Sequence, residues 1–175
     1  MPKLLKVLTY PNPVLSLAAK PITKITEEIK TLAEDMLYTM EQSNGIGLAA
    51  NQVGVLEQIV VINLEDAEPE SAKAKMPLVL INPKIIAASQ ELMEYEEGCL
   101  SFPELRVTVK RPRKVTVSYL DLNGEQQTVE GENLLSICLQ HEIDHLNGIL
   151  FVNKVSNLKR DVLLRKYKKL QTIKN

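Results

Sequence analysis

Both histidines of this chain lie in one short stretch, Gln140-His141-Glu142-Ile143-Asp144-His145. On an α-helix, residues four apart project from the same face about one turn apart. Two imidazoles so placed can hold one metal ion, with Glu142 beside it as a general base for hydrolysis. The plainer alternative is an amphipathic helix whose histidines are polar surface or satisfied core groups. The metal reading is preferred because it has a mechanism, and it requires a third ligand from elsewhere in the chain.

A catalytic zinc or iron centre typically takes three protein ligands and keeps one position open. Cys99 and Cys138 are the only thiols. Cys138 shares the histidine face, but seven residues at about 1.5 Å each put it roughly 10 Å along the axis from His145, too far for a common ion. Leu134, Ile137 and Cys138 then extend the histidine stripe, either as ordinary core or as the wall of a pocket. Cys99 stands on a separate segment, Glu94-Tyr95-Glu96-Glu97-Gly98-Cys99-Leu100-Ser101, free to cross the histidine pair. Its competing fate is burial as a small hydrophobe.

A second candidate stretch is Gly45-Ile46-Gly47-Leu48-Ala49-Ala50-Asn51-Gln52. Its first six residues fit G-x-G-x-x-A, but a dinucleotide fingerprint needs a strand before it and a helix after it. Here a helix precedes and the strand-like Gln58–Asn63 follows, so that reading fails on context. A glycine-rich loop ending in the amide of Gln52 can line a polar site, or can be a tight helix-to-strand connection.

These stretches need a frame. Ile29, Leu32, Ala33, Met36, Leu37 and Met40 fall at helical spacing, predicting a helix over Glu27–Gln42 with Thr26 as N-cap and Asn44-Gly45 as its end. Pro11 to Pro21 is an irregular arm, and Glu65 to Lys75 a charged, solvated loop. Leu78–Ile81 reads as a short strand closed by Asn82-Pro83. From Arg106 to Leu120 the apolar residues alternate (Val107 and Val109, then Val115, Val117 and Tyr119), as antiparallel strands with one buried face require. Asn123-Gly124 signals a two-residue hairpin into a strand over Gln127–Glu130, with Gly131 at its exit. The motif helix runs from about Asn133 to Leu146, capped by Asn147-Gly148, and an apolar return follows over Gly148–Val152. A last helix starts at the N-cap Ser156, with Leu158, Val162, Leu163, Tyr167 and Leu170 as its expected buried stripe. The fold class is therefore α+β: antiparallel sheets around a central metal-binding helix, with an N-terminal and a C-terminal helix.

The 175 residues suit one catalytic domain over 1–175, of which 154–175 form a basic C-terminal helix. A net charge of −1 gives no overall pull toward DNA or membrane, but 154–175 carry eight basic residues against Asp161, leaving −8 on 1–153. No apolar run reaches the length of a membrane span, prolines interrupt the N-terminus, and two cysteines suit a reducing compartment. A cytoplasmic protein is expected.

Taken together, three segments resemble the three motifs of the peptide deformylase family: Gly45–Gln52 its G-x-G-x-A-A-x-Q motif, Glu97-Gly98-Cys99-Leu100-Ser101 its E-G-C-L-S motif, and His141–His145 its H-E-x-D-H motif. Order and spacing agree, and the similarity runs from about Leu5 to Val155. The resemblance implies removal of formate from the formyl-methionine that starts nascent chains. It assigns one divalent ion to Cys99, His141 and His145, with Fe2+ as the physiological metal and Zn2+, Ni2+ or Co2+ able to substitute. Glu142 would accept the proton of the attacking water and pass it to the departing amine, while the Gln52 amide and the Leu100 backbone N–H stabilise the oxyanion. Ile46, Leu134, Ile137 and Cys138 would take the methionine side chain, and Gly47 and Arg106 the peptide backbone. Asp144 and Glu97 would either orient ligands or form ordinary salt bridges. The basic terminal helix would contact the ribosome, or be only a solvated face.

Two other functions stand against this. A zinc metallopeptidase also uses H-E-x-x-H, but it generally draws a later His or Glu as third ligand, and no histidine follows His145. A non-catalytic metal-stabilised module would need neither Glu142 nor an open coordination position.

Overall fold

The computed structural model describes residues 1–65, 67 and 74–174. Most of the charged loop expected over Glu65–Lys75 therefore lies outside the described residues.

Helix α1 (Glu27–Gln42) occupies the predicted span, and the hydroxyl of Thr26 accepts from the Ile29 N–H as its N-cap. The glycine-rich segment is more ordered than a loop: Gly47–Ala49 form strand β1, and Ala50–Val53 a 3-10 turn. Strand β2 is Ile59–Ile62, and β3 is Leu78–Ala88. The short strand expected to stop at Asn82-Pro83 continues through it. Asn82 takes a φ of 50° at a register shift, and its side chain bonds both the N–H and the C=O of Ile22, so the break becomes a bulge.

Strands β4 (Leu92–Cys99) and β5 (Phe102–Pro112) form a separate two-stranded ribbon. Strands β6 (Lys114–Leu120) and β7 (Gln126–Glu132) complete a five-stranded antiparallel sheet in the order β1-β2-β3-β6-β7. The β6–β7 hairpin is wider than Asn123-Gly124 predicts. Asp121 N–H bonds Glu125 C=O across three residues, the Asp121 carboxylate accepts from the N–H groups of Asn123 and Glu125, and Gly124 supplies the positive φ. Gly131 is not at the strand's exit but inside β7, paired with Val115. A Cβ there would stand 2.7 Å from Leu139 Cδ1, so glycine lets the strand cross directly against the motif helix.

That helix, α2 (Leu134–Leu146), has every residue buried except Asp144. The sheet separates it from α1, and β2 and β3 divide their side chains accordingly. Val60, Ile62, Leu78 and Leu80 pack with Leu135, Leu139 and Ile143 of α2. Ile59, Val61 and Ile81 pack with Met36 and Met40 of α1. Alternation along β2 and the first half of β3 thus builds two cores with one sheet. The apolar return ends in a 3-10 turn over Phe151–Lys154, with Phe151 and Val152 buried.

Helix α3 (Asn157–Lys174) begins after Ser156, whose hydroxyl accepts from the Lys159 N–H. Its buried face keeps only part of the expected stripe. Tyr167 is buried, with Leu163 and Leu164 packed beside it, whereas Leu158 and Val162 are exposed. At about 100° per residue, Leu158 lies nine positions and half a revolution from Tyr167, on the opposite face. Tyr167 instead joins Tyr10, Phe102 and Phe151 in one aromatic cluster under β5.

Candidate active site

Strand β4 and helix α2 bring the chemistry together. Cys99 Sγ and one nitrogen each of His141 and His145 all lie within 4.8 Å of one another, though Cys99 is remote from both in sequence. Cys99 Sγ is 3.4 Å from His145 Nε2. His141 turns its Nδ1 to Glu97 Oε1 at 2.8 Å, which leaves Nε2 for the cluster. A thiolate and two imidazoles suit Zn2+, Fe2+ and their neighbours, so the donor set fits a catalytic metal with an open position. Cys138 is not in this group: it is buried on the cleft wall, as helical rise requires.

Without a metal the cluster is electrostatically uneven. Burial disfavours the His141 cation, yet hydrogen bonds to Cys99 and Glu97 outweigh it and hold His141 well above its ordinary pKa. Burial and the neighbouring His141 charge hold His145 well below its own. Burial also pushes Glu142 up to about 7. Glu142 Oε2 is buried with no hydrogen-bond partner among the described residues, and the side chain faces the cleft. Gly47 makes room for it, since a Cβ at that position would meet Glu142 Oε1 at 3.0 Å.

Gln52, from the turn after β1, is oriented at both ends. Its Oε1 accepts from the Ala49 N–H at 2.9 Å, so its Nε2 faces Ser101 Oγ at 3.1 Å and Cys99 Sγ at 3.6 Å. Leu100 follows Cys99 at the cleft. The cleft has a volume of about 640 Å³, and Ile46, Gly47, Arg106, Leu134, Ile137 and Cys138 all line it. Arg106 is exposed and faces Glu96 at 3.6 Å.

Two residues take part in the site without a role assigned from the sequence. Ser101 holds the Gln52 amide, and Arg111, buried on β5, binds Glu97 and Asp144. The signal at Ser101 is its place as the last residue of the E-G-C-L-S segment. Arg111 has another: period two puts it on the same face of β5 as Val107 and Val109.

The sequence profile of the polypeptide deformylase family matches residues 4–161. The chain belongs to the peptide deformylase family. The deformylase of Rhizobium meliloti (strain 1021) is 47% identical over 163 residues, 93% of this chain and 91% of that protein. Among solved structures, a deformylase from Legionella pneumophila superposes with a TM-score of 0.87 at 41% identity, covering 98% of each chain. A deformylase from Ehrlichia chaffeensis in complex with actinonin superposes with a TM-score of 0.89 at 41% identity, covering 97% of this chain and 98% of that one. This deformylase is a metal-dependent hydrolase that removes the formyl group from N-terminal formyl-methionine. Among the described residues, none of its helices is long and apolar enough to cross a membrane.

Proposed function

We propose that Cys99, His141 and His145 hold the catalytic ion, that Glu142 moves the proton, and that Gln52 and Leu100 bind the developing oxyanion. The observation that carries this is the convergence of three ligand atoms within 4.8 Å beside a buried carboxylate oxygen with no partner among the described residues. A divalent ion there supplies Lewis acidity and a lowered water pKa; Fe2+ is the proposed native ion, with Zn2+, Ni2+ or Co2+ as substitutes.

The chain's own groups divide the remaining work. Glu142 takes a proton from the attacking water and returns it to the amine as the C–N bond breaks, which releases formate. The Gln52 amide, its oxygen already occupied by Ala49, aims its N–H toward Cys99, where the formyl oxygen gathers charge. Leu100 adds its backbone N–H. The methionine side chain enters between Ile46, Leu134, Ile137 and Cys138, and Gly47 and Arg106 hold the peptide backbone. That the Ehrlichia chaffeensis relative binds actinonin supports a peptide-like occupant of this cleft.

The whole of 1–175 acts as one catalytic domain in the cytoplasm, where nascent formylated chains emerge. The exposed lysines and arginines of α3 offer phosphate contacts for ribosome docking. Neutralising Lys166, Lys168 and Lys169 to Gln weakens ribosome co-sedimentation at low salt; unchanged co-sedimentation discards that partner.

The deciding experiment is anaerobic formate release from formyl-methionyl peptides, with metal content measured on the same sample. Metal-loaded protein that releases no formate, or Cys99→Ala protein that retains full metal and activity, overturns the assignment.

A further inference from the structure

Arg111 is 3% exposed and uses every nitrogen of its guanidinium. Nε and NH2 bind the two oxygens of Glu97 at 2.7 and 3.1 Å, and NH1 binds Asp144 Oδ2 at 2.8 Å. Lys154 Nζ lies 3.5 Å from the same Asp144 oxygen, so two cations face two carboxylates. Such a cluster is weak evidence for stability, because desolvation offsets much of the attraction. Its connectivity is more informative. Glu97 and Cys99 sit two residues apart on β4, and His141 and Asp144 one turn apart on α2. Glu97 grips His141 Nδ1 at 2.8 Å. The contacts therefore close a ring from His141 through Glu97 and Arg111 to Asp144, and back along α2.

We infer that Arg111 is a positioning residue for the metal centre, and that Asp144 acts on the centre through it. This rests on the reading that Cys99, His141 and His145 hold the ion. The fork holds both Glu97 oxygens in one plane, which presents Oε1 to His141 and turns the opposite imidazole nitrogen to the cluster. Its third arm fixes α2 against β5, and thereby the imidazoles against the strand that carries the sulfur. A lysine would keep the charge but could not hold two carboxylates in fixed planes.

The test uses the full chain loaded with Co2+, as wild type, Arg111→Lys and Asp144→Asn. Three quantities are read: cobalt affinity by chelator competition, the thiolate-to-cobalt absorption bands, and urea unfolding of the metal-free protein. Both variants should lose affinity, within the roughly 10–100-fold range typical of groups that orient metal ligands, and should shift the absorption bands. Asp144→Asn leaves Glu97 and His141 chemically intact and weakens the contact to Arg111 NH1, so a band shift that matches that of Arg111→Lys is the mark of transmission through Arg111. Asp144→Asn also carries the test if Arg111→Lys does not fold. Unchanged affinity and spectrum with only a lower unfolding midpoint would show a purely structural ion cluster and overturn the inference. A wild-type protein without the thiolate bands would instead overturn the ligand assignment beneath it.

Discussion

Cys99 Sγ and His145 Nε2 lie 3.4 Å apart, a separation suited to two ligands of one ion and joined by no local chain geometry. Substituting Cys99 by Ala removes the thiolate from a three-ligand set. Metal content after dialysis should fall from one equivalent toward zero, and deformylation with it. Metal affinity should also weaken as pH falls. His141 is held well above its ordinary pKa without metal, so it keeps a proton that an incoming ion must displace. Chelator competition at several pH values measures this; affinity independent of pH would contradict it.

Glu142 is buried, and its carboxyl reaches about 7 in the metal-free protein. A cation beside it favours the carboxylate and moves that value down. Only the carboxylate can accept a proton, so kcat/KM should rise with pH along an acid limb at or below about 7 and then level. Glu142→Gln keeps the shape but cannot take the proton. It should lose about 10²–10⁴-fold in rate while retaining its metal, the range expected for a general base. Equal loss of metal and activity would make Glu142 a structural residue instead.

Helical periodicity placed α1 and α2 on the sequence, and a spacing of four put both histidines on one face. Rise along that helix also ruled out Cys138 as a ligand. What sequence hides is anything set by tertiary partners. Arg111 follows Val107 and Val109 on the buried face of β5, yet its meaning depends on Glu97 and Asp144 arriving from β4 and α2. Asn82-Pro83 reads as a stop, but the chain passes through because the N-terminal arm supplies Ile22 to both ends of the Asn82 amide. The phase of α3 misleads for a related reason. Leucines and valine occur on more than one face of a helix rich in lysine, and only the pocket formed by Tyr10, Phe102 and Phe151 selects the Tyr167 face.

Gly47 offers a test of how tightly the catalytic carboxylate is packed. A Cβ at this position would approach Glu142 Cγ and Oε1 at 3.0 Å each. Gly47→Ala should displace Glu142 by a few tenths of an ångström and lower kcat, with metal content unchanged. A displacement of about 1 Å can cost roughly 10²-fold, so a loss of about 10-fold is expected. An alanine variant with wild-type kcat would mean that the carboxylate tolerates displacement.

Tyr167 is the one fully buried side chain described on α3, and its ring meets Phe102 at 5.3 Å and Tyr10 at 6.0 Å between centroids. Phe102 in turn contacts Phe151, which lies 5.6 Å from the His141 ring. The helix is thus seated on the core behind the metal ligands. Tyr167→Ala should cost about 3–5 kcal/mol, as for other large aromatics truncated in a core. Leu158→Ala and Val162→Ala, on the exposed face, should stay within about 0.5 kcal/mol of wild type. Urea unfolding of the three variants reads the difference directly. If Leu158→Ala proves as costly as Tyr167→Ala, Leu158 is buried as well, and the whole stripe read from the sequence faces the core.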